Sequence, residues 1–350
     1  MASGRAAVYF WGLGLWACSQ PRADSSFSGP FGAAGSATVV AGKPSGAGGT
    51  ADAGASPAAD ADAALGVAGG SASPHEPSTD AGFCTGQAVT VGDLASGSVN
   101  EGKVVLLPAL VASSQKFLLS VSKSGGSCLW AAFAAQAGAS GANSGVLLLS
   151  SAVGVEAPDG GAVACPSGND SLPDDLAPGD RIAAFGMFSD YAPSACHGTA
   201  PMRELLIKSD CAVIRSAHGA APPSVMLTPE LADRLAQGKD QALLRAWSGA
   251  RVELNNLSAL PVEGSTSAVG AYGVIRFQET KLELHSKIPF EDLSAGGPRQ
   301  PGKSLDFAYP LSFQRASGVL FLDYCTWSLE VRDRCADLTP QSRGCEVSGG

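Results

Sequence analysis

The chain has 350 residues and a formal net charge of -9, and only 16% of its residues are charged. It therefore lacks the basic excess with which proteins hold phosphate backbones non-specifically. After residue 20, no apolar run approaches the ~18 residues that a membrane-spanning helix needs. Its 44 glycines follow no collagen-like period. These features exclude a general nucleic-acid binder, a helical membrane protein and a collagen.

The N-terminus predicts an export signal over residues 1–18. One basic residue, Arg5, precedes the apolar stretch Ala6–Trp16, which is too short to span a bilayer and typical of a signal peptide. The stretch ends in LWAC, which resembles a bacterial lipobox, although Trp16 departs from the small or β-branched residue usual there. The resemblance implies lipidation of Cys18 and attachment at the outer membrane, periplasm or cell surface. The alternative is ordinary secretion with loss of Cys18.

Cysteine parity supports an exported, lipid-anchored chain. The sequence has nine cysteines, and removing Cys18 leaves an even set. Paired thiols persist in an oxidising compartment, so we expect the others to form disulfides. No CxxC pair is present and the histidines are scattered, so we predict neither a metal site nor a cofactor. The disulfide candidates are Cys84, Cys128, Cys165, Cys196, Cys211, Cys325, Cys335 and Cys345.

Residues 19–82 are dominated by Ala, Gly, Ser, Pro and Asp. Such a segment cannot bury enough apolar surface to offset the entropy lost on ordering. We therefore predict a disordered tether that holds a folded unit away from a membrane.

From residue 83 the chain changes to short apolar runs separated by Gly, Pro and Asp turns, the pattern of an all-β fold. Arg251–Asn255 and Lys281–His285 alternate like strands with one buried face. Thr228-Pro229-Glu230 predicts a helix start, Gly238 its end, and a second short helix covers Asp240–Trp247. The predicted strands are Lys103–Leu110, Lys116–Val121, Leu129–Ala134, Val146–Ser150, Ile182–Phe188, Leu205–Ile207, Ala250–Leu257, Tyr272–Phe277, Lys281–Ile288, Leu305–Tyr309, Leu311–Arg315, Gly318–Asp323 and Trp327–Val331.

Two parts of the chain look like related β units. In each, an apolar strand with an internal glycine is followed by an Asp-Tyr pair: Gly186 precedes Asp190-Tyr191, and Gly318 precedes Asp323-Tyr324. An internal strand glycine marks a bulge or barrel corner, and small Greek-key barrels need such bends to close. These patterns resemble the tandem OB-fold-like modules of exported bacterial lipoproteins with Gly/Ala/Ser-rich tethers. The resemblance implies two consecutive OB-fold-like Greek-key barrels joined by a short helical connector, with a β-sandwich as the alternative.

The predicted organisation follows the changes in composition. Residues 1–18 form the lipoprotein signal peptide, 19–82 the tether, 83–215 the first OB-like domain, 216–247 the helical connector and 248–350 the second OB-like domain. The first domain then holds five cysteines and the second three. If all of them pair within the chain, at least one disulfide joins the two domains. Cys84 and Cys345, near the outer ends, are the easiest to spare for it.

No catalytic residue is predicted, because the sequence contains no nucleophile elbow, HExxH helix, P-loop or dinucleotide fingerprint. Tyr191, Tyr324 and Trp327 lie near predicted strand ends and are candidates for stacking on a ligand. We interpret the acidic loop Asn169–Leu176 as a solvated turn rather than a calcium site.

Three functions remain open. The first is a lipid-anchored, monomeric envelope protein that acts as a non-catalytic binding or structural module for an unidentified protein or glycan. The second is oligosaccharide or, against the acidic charge, nucleic-acid binding through a barrel face, which predicts exposed aromatics beside Arg or Lys. The third is a hydrolase with a dispersed acidic site, which predicts buried carboxylates near His197, His218 or His285. With 13 basic and 15 acidic residues, 216–350 is nearly neutral and suits a polar ligand better.

Overall fold

A computed structural model describes residues 86–122, 126–156, 163–166, 168–192, 196, 198–208, 213–270, 273–285, 305, 307–323, 325–333 and 335–341. The predicted signal peptide and tether lie outside these residues. The elements in chain order are β1 Gln87–Ala88, α1 Val91–Ser96, β2 Val104–Ala112, β3 Phe117–Ser122, β4 Ser127–Gln136, β5 Gly145–Val153, β6 Val155–Glu156, β7 Val163–Ala164, β8 Asp180–Tyr191, β9 Met202–Ile207, β10 Val213–His218, β11 Val225–Met226, α2 Pro229–Ala236, α3 Gln241–Trp247, β12 Arg251–Ser258, β13 Leu284–His285, β14 Ser312–Asp323, β15 Thr326–Glu330 and β16 Leu338–Thr339.

The N-terminal part of the described chain contains a closed five-stranded barrel. Its strands follow one another as β2, β4, β5, β9 and β8, and β8 pairs back with β2. All neighbours are antiparallel except β5 and β9, which are parallel. The barrel interior is filled by buried side chains that include Leu107, Trp130, Leu148, Ile182 and Leu205. The prediction of an all-β chain with a barrel is confirmed for this part.

The C-terminal part forms a second sheet in the order β11–β12–β14–β15–β13, with β16 beside β14. Strand β12 is antiparallel to β14, β14 is antiparallel to β15, and β13 runs parallel to β15. Single bridges join Ala259 to Phe277 and Ile275 to Leu284. These bridges continue the pairing from the end of β12 round to β13.

Equivalent strand pairings occur in the barrel and in the second sheet. Val105 lies opposite Gly186 in the pair β2–β8, and Val252 lies opposite Gly318 in the pair β12–β14. A short strand runs parallel to the first long strand in both cases, as β1 beside β2 and β11 beside β12. The two parts therefore share these strand pairings, with a glycine at the equivalent position of each.

Both glycines sit where two strands approach closely. A Cβ added at Gly186 would lie 2.7 Å from the carbonyl oxygen of Leu206, and one at Gly318 would overlap the carbonyl oxygen of Glu330. Only glycine leaves room for this approach. The internal strand glycines therefore mark tight crossings within each sheet.

Helices α2 and α3 lie between β11 and β12, both strands of the second sheet, and their ends follow the local sequence signals. The Thr228 hydroxyl accepts the Leu231 amide at the start of α2, and Pro229 is the first helical residue. Gly238, just past the end of α2, has a φ of 69°. Asp240 caps α3 by accepting the Leu243 amide.

Several elements differ from the prediction. The two strands predicted over 311–315 and 318–323 form one continuous strand, β14, because Gly318 does not interrupt the pairing with β12. Within the described residues of the predicted strand Leu305–Tyr309, only Ala308 forms a bridge. Helix α1 and the edge strand β10 were not predicted.

Candidate functional site

Two of the three aromatic residues predicted to contact a ligand, Tyr191 and Trp327, lie within the described residues. Tyr191 is 36% exposed at the end of β8. Trp327 is fully buried, at 0% exposure, so the prediction that it lies at an accessible strand end is wrong. It belongs to the hydrophobic core of the second sheet because β15 turns this side chain inward. Tyr324 lies outside the described residues.

The disulfides include one that links the two sheets. Cys128 bonds to Cys165 within the first barrel. Cys196, which follows β8, bonds to Cys325 in the turn between β14 and β15. The crossing disulfide expected from the odd cysteine counts is therefore present, and the outer pair, Cys84 and Cys345, lies outside the described residues. Cys335 is also disulfide-bonded; the remaining candidates, with the lipidation site, lie outside the described residues: Cys18, Cys84, Cys211 and Cys345.

The outer face of β4 and β5 on the first barrel is buried. Trp130 and Leu148 point into the barrel, whereas Phe133, Leu147 and Leu149, on the opposite face, belong to the core that includes the second sheet. Both strands are thus covered on both sides, like the strands of a buried sheet. The second sheet provides the covering layer.

Aromatic and cationic contacts connect this face to the second sheet. The rings of Phe133 and Phe321 meet edge to face with centroids 5.6 Å apart. The guanidinium of Arg332 lies over the ring of Phe117, 4.2 Å from its centroid. Burial lowers the pKa of Arg332 to about 10. Such ring contacts add stability beyond the apolar area that they bury.

Backbone contacts fix the same junction. The Asn143 amide donates to the Ala246 carbonyl at 2.6 Å, and the backbone of Gly145 approaches Gly249 so closely that a Cβ would overlap it. The buried guanidinium of Arg203 donates to the carbonyls of Arg245 and Ala246 at the end of α3. Helix α3 is thereby held against the first barrel.

The corresponding face of the second sheet carries polar side chains instead. Positions in the two parts can be matched by counting along the paired strands from the two glycines. The strands are Gly186 on β8, then β9 and β5, in the first barrel, and Gly318 on β14, then β15 and β13, in the second sheet. The bridge from Ile275 to Leu284 extends it to the next segment. The corresponding pairs are Leu147 with Glu283, Leu149 with His285, and Phe133 with Arg276.

The polar residues on this face form a chain of alternating charge, which we call the Arg276 chain. Arg276 Nε donates to Glu283 Oε1 at 2.8 Å. The second oxygen of Glu283 lies 3.1 Å from His285 Nε2, and Asp323 Oδ2 lies 3.2 Å from His285 Nδ1. The Arg276 chain consists of Arg276, Glu283, His285 and Asp323, and the arginine side chain at its outer end is 72% exposed.

Burial and hydrogen bonding oppose each other at the centre of the Arg276 chain. Burial lowers the pKa of His285, but its hydrogen bonds to Asp323 and Glu283 outweigh burial, so the pKa is raised. Burial raises the pKa of Glu283, but hydrogen bonds from His285 and Arg276 outweigh it, so that pKa is lowered. Each ring nitrogen of His285 thus faces a carboxylate oxygen, an arrangement that favours the protonated imidazole.

This arrangement suits binding better than catalysis. Buried carboxylates do lie near His285, as the hydrolase hypothesis predicts, and each of its ring nitrogens contacts one of them. Within the described residues, no three His, Cys, Asp or Glu side chains converge to hold a metal ion. The side chain that the Arg276 chain offers to solvent is a guanidinium.

A second polar cluster lines an open pocket of about 420 Å³ beside β10. The buried carboxylate of Asp180 lies 2.8 Å from His218 Nδ1 and 3.4 Å from Arg215 Nη1. Burial raises the pKa of Asp180, but hydrogen bonds from the Ala177 amide and His218 outweigh it, so the pKa is lowered. Both carboxylate oxygens are used in attaching the edge strand β10 to β8, which is a structural role. His197, the remaining histidine of the hydrolase hypothesis, lies outside the described residues.

The acidic loop Asn169–Leu176 encloses a buried lysine. Lys116 Nζ lies 2.6 Å from Asp170 Oδ2, 2.5 Å from Asp174 Oδ1 and 4.9 Å from the centroid of the Trp130 ring. The side chains of Lys116 and Asp170 are both 0% exposed. The prediction of a solvated turn is therefore wrong at Asp170, because this carboxylate neutralises a cation inside the fold.

The sequence predicts the strand that carries Glu283 and His285, but it does not predict that Arg276 and Asp323 contact them. The alternation over Lys281–His285 places Glu283 and His285 on one face, and the partners Arg276 and Asp323 come from other segments. No helix in the described part of the chain is long and apolar enough to cross a membrane. The chain matches no protein-family model, no curated protein and no solved structure.

Proposed function

We propose that this protein is a lipid-anchored envelope protein with two OB-fold-like barrels that act as a non-catalytic binding module. Numbered in chain order, the strands of the first barrel follow one another as 1-2-3-5-4, with 3 and 5 parallel. This is the order of an OB fold. In the second sheet the pairs β12–β14, β14–β15 and β13–β15, with the two bridges, follow the same order. The shared order supports tandem barrels over a β-sandwich.

The proposal depends on one difference: the outer face of strands 2 and 3 is apolar and buried in the first barrel, but polar in the second sheet. OB folds bind oligosaccharides and oligonucleotides on the outer face of strands 2 and 3. In the first barrel this face holds Phe133 and Leu149 and is buried against the second sheet. At the same register the second sheet holds Arg276 and His285, and Arg276 is exposed. Ligand binding therefore belongs to the second barrel, and the first barrel supports it.

The sequence supports the anchor, and the covered face of the first barrel supports a monomer. The lipobox-like ending at Cys18 and the Gly/Ala/Ser-rich tether favour a membrane-attached protein in the envelope. Incorporation of a labelled fatty acid that disappears in Cys18→Ala is the expected result; equal labelling of both proteins refutes the anchor. The apolar face of the first barrel is already covered within the chain, so the protein acts as a monomer.

A titration with ligand mapping tests the binding function. The soluble form of the mature chain, residues 19–350, lacks the proposed lipidation site Cys18. It is isotopically labelled, secreted in oxidised form and titrated with neutral oligosaccharides, acidic oligosaccharides and single-stranded oligonucleotides. The proposal predicts amide shift changes at Arg276, Glu283 and His285, and unchanged shifts at Phe133 and Leu149. Shifts confined to the pocket around His218, or no response to any ligand class, refute it.

A further inference from the structure

Lys116 and Asp170 bring an amine and a carboxyl group together in the buried part of the first barrel. Lys116 immediately precedes β3, and Asp170 lies in the loop between β7 and β8. Lys116 Nζ lies 2.6 Å from Asp170 Oδ2, and both side chains are 0% exposed. The ring of Trp130 covers the amine, with its centroid 4.9 Å from Nζ. Two groups that can condense to an amide therefore meet where bulk water is excluded.

The contact between these two groups is not an ordinary hydrogen bond. Among the described residues, Asp170 Oδ2 has no hydrogen-bond partner in acceptable geometry, although Nζ lies 2.6 Å away. Nζ instead donates to Asp174 Oδ1 at 2.5 Å and to the Leu172 carbonyl at 3.0 Å. No hydrogen bond therefore accounts for the short distance between the amine and the Asp170 carboxyl group.

The neighbouring groups are placed as amide formation requires. The Leu172 amide donates to Asp170 Oδ1 at 2.6 Å, where it polarises the carboxyl group and stabilises the negative charge of a tetrahedral intermediate. Asp174 Oδ1 is positioned to take a proton from Lys116 Nζ and is held by the Gly168 amide at 3.1 Å. The Asp174 side chain is 44% exposed, so this proton can pass on to solvent.

Burial favours the protonated form of Asp170, which is the form that can lose an oxygen as water. Burial raises the pKa of Asp170, and hydrogen bonds from Lys116 and the Leu172 amide oppose this only in part. A buried ion pair also carries a desolvation cost that a neutral amide avoids. Both effects favour the condensed form of this pair over the ionic form.

We propose that Lys116 and Asp170 form an intramolecular isopeptide bond after the chain has folded; the structure shows the two groups before the reaction. Asp174 takes one proton from the Lys116 ammonium, and the neutral Nζ attacks Cγ of protonated Asp170. The C–N bond forms and the bond from Cγ to Oδ2 breaks. Oδ2 leaves as water with its own proton and a second proton from Nζ, and the third proton stays on the amide nitrogen. Nothing is oxidised or reduced, and no co-reactant is required.

The bond adds a second covalent link to the same part of the first barrel. It joins the start of β3 to the loop before β8, whereas the disulfide from Cys128 to Cys165 joins β4 to the residue after β7. An amide is not opened by thiols, so this link persists under reducing conditions that open the disulfide. The modification is independent of the proposed binding face.

Mass spectrometry of the mature chain, residues 19–350, tests the inference. The protein is reduced, alkylated and weighed intact, and its proteolytic peptides are then mapped. We expect the wild-type chain to be lighter than its sequence by one water molecule and to yield a branched peptide that joins Lys116 to Asp170. A succinimide at Asp170 also loses water, but it yields a linear peptide and reopens in mild alkali.

Two pairs of variants assign the reacting groups. Lys116→Arg keeps a cation but removes the reactive amine, and Lys103→Arg is its matched control because Lys103 is exposed. Asp174→Asn removes the proton acceptor, and Asp175→Asn is its matched control because the Asp175 side chain is 70% exposed. Lys116→Arg should abolish the loss of water, and Asp174→Asn should slow it by at least about a hundredfold. Both control variants should react like the wild type.

A wild-type chain that keeps its full mass after long incubation at neutral pH overturns the inference, even if Lys116→Arg fails to fold. So does a loss of water that persists in Lys116→Arg, that yields only linear peptides, or that proceeds at the wild-type rate in Asp174→Asn. Because Asp174→Asn keeps Lys116 and Asp170 unreacted, it is also the reference protein for measuring what their ion pair contributes to stability.

Discussion

Replacing Cys196 and Cys325 with alanine removes the disulfide that links the first barrel to the second sheet. The two cysteines are 129 residues apart in the sequence. For a closed loop of that length, the loss of chain entropy in the unfolded state corresponds to about 5 kcal/mol. Measured effects of removing native disulfides are often smaller, so we expect the free energy of unfolding to fall by about 3–5 kcal/mol.

The double variant should nevertheless unfold as one unit. The contact of Phe133 with Phe321, the stacking of Arg332 on Phe117 and the buried apolar face of β4 and β5 do not depend on the disulfide. Elements that share one buried core unfold together. The disulfide therefore adds stability to a junction that packing already defines.

Tryptophan fluorescence during urea unfolding measures both expectations. Trp130 lies in the core of the first barrel and Trp327 in the core of the second sheet. With Trp247→Phe as background, one protein keeps only Trp130 and another keeps only Trp327 in the mature chain. In each protein the fluorescence midpoint should coincide with that protein's own midpoint by circular dichroism, before and after loss of the disulfide. Separate transitions for the two probes, or a loss below about 1 kcal/mol, refute the reasoning.

Three further predictions concern buried groups and glycine contacts. Burial raises the pKa of Glu204 well above its ordinary value; the folded state then holds the extra proton, so the melting temperature should fall as pH rises from about 4.3 toward the folded pKa, and Glu204→Gln should remove this dependence. Lys116→Met leaves Asp170 buried without its cation and should cost about 3–5 kcal/mol in urea unfolding, whereas Lys116→Met with Asp170→Asn should recover much of it. Gly318→Ala should lower stability by about 1–3 kcal/mol through its overlap with a neighbouring strand, whereas Gly92→Ala within α1 should raise it by about 0.5–1 kcal/mol.

Each of these three predictions has a result that contradicts it. A melting temperature of the wild type that does not fall as pH rises above about 4.3 refutes a protonated buried carboxyl. A loss under about 1 kcal/mol for Lys116→Met shows that the ion pair is solvated. Equal effects of Gly318→Ala and Gly92→Ala remove the argument for a close strand approach.

The fold follows from local sequence where one physical constraint dominates. The apolar alternation over Arg251–Asn255, the N-cap at Thr228 and the strand glycines Gly186 and Gly318 have local causes, and the structure agrees with them. Helix α1 is hidden because it has only six residues and contains Gly92. Strand β10 is hidden because its exposed side chains show no apolar alternation.

The site could be predicted only in part, because the burial and the partners of its side chains depend on contacts between distant segments. Phe133 and Leu149 alternate as they would on any half-buried strand, and the sequence does not reveal that a second sheet covers them. Trp327 looked accessible because its position near a strand end does not decide which way the side chain points. That Arg276 and His285 occupy the positions of Phe133 and Leu149 becomes visible only when the strand pairings of both sheets are compared.

Relaxation of methyl groups measures whether the second sheet covers the outer face of the first barrel. The mature chain, labelled at leucine methyl groups, is mixed with a soluble gadolinium chelate that speeds relaxation of exposed methyls. The methyl groups of Leu147 and Leu149 should be protected from the chelate to the same degree as those of Leu148, which lies inside the barrel. Those of Leu260, which is 39% exposed, should relax fast. Fast relaxation of Leu147 and Leu149, matching Leu260, would show an open face and contradict the account.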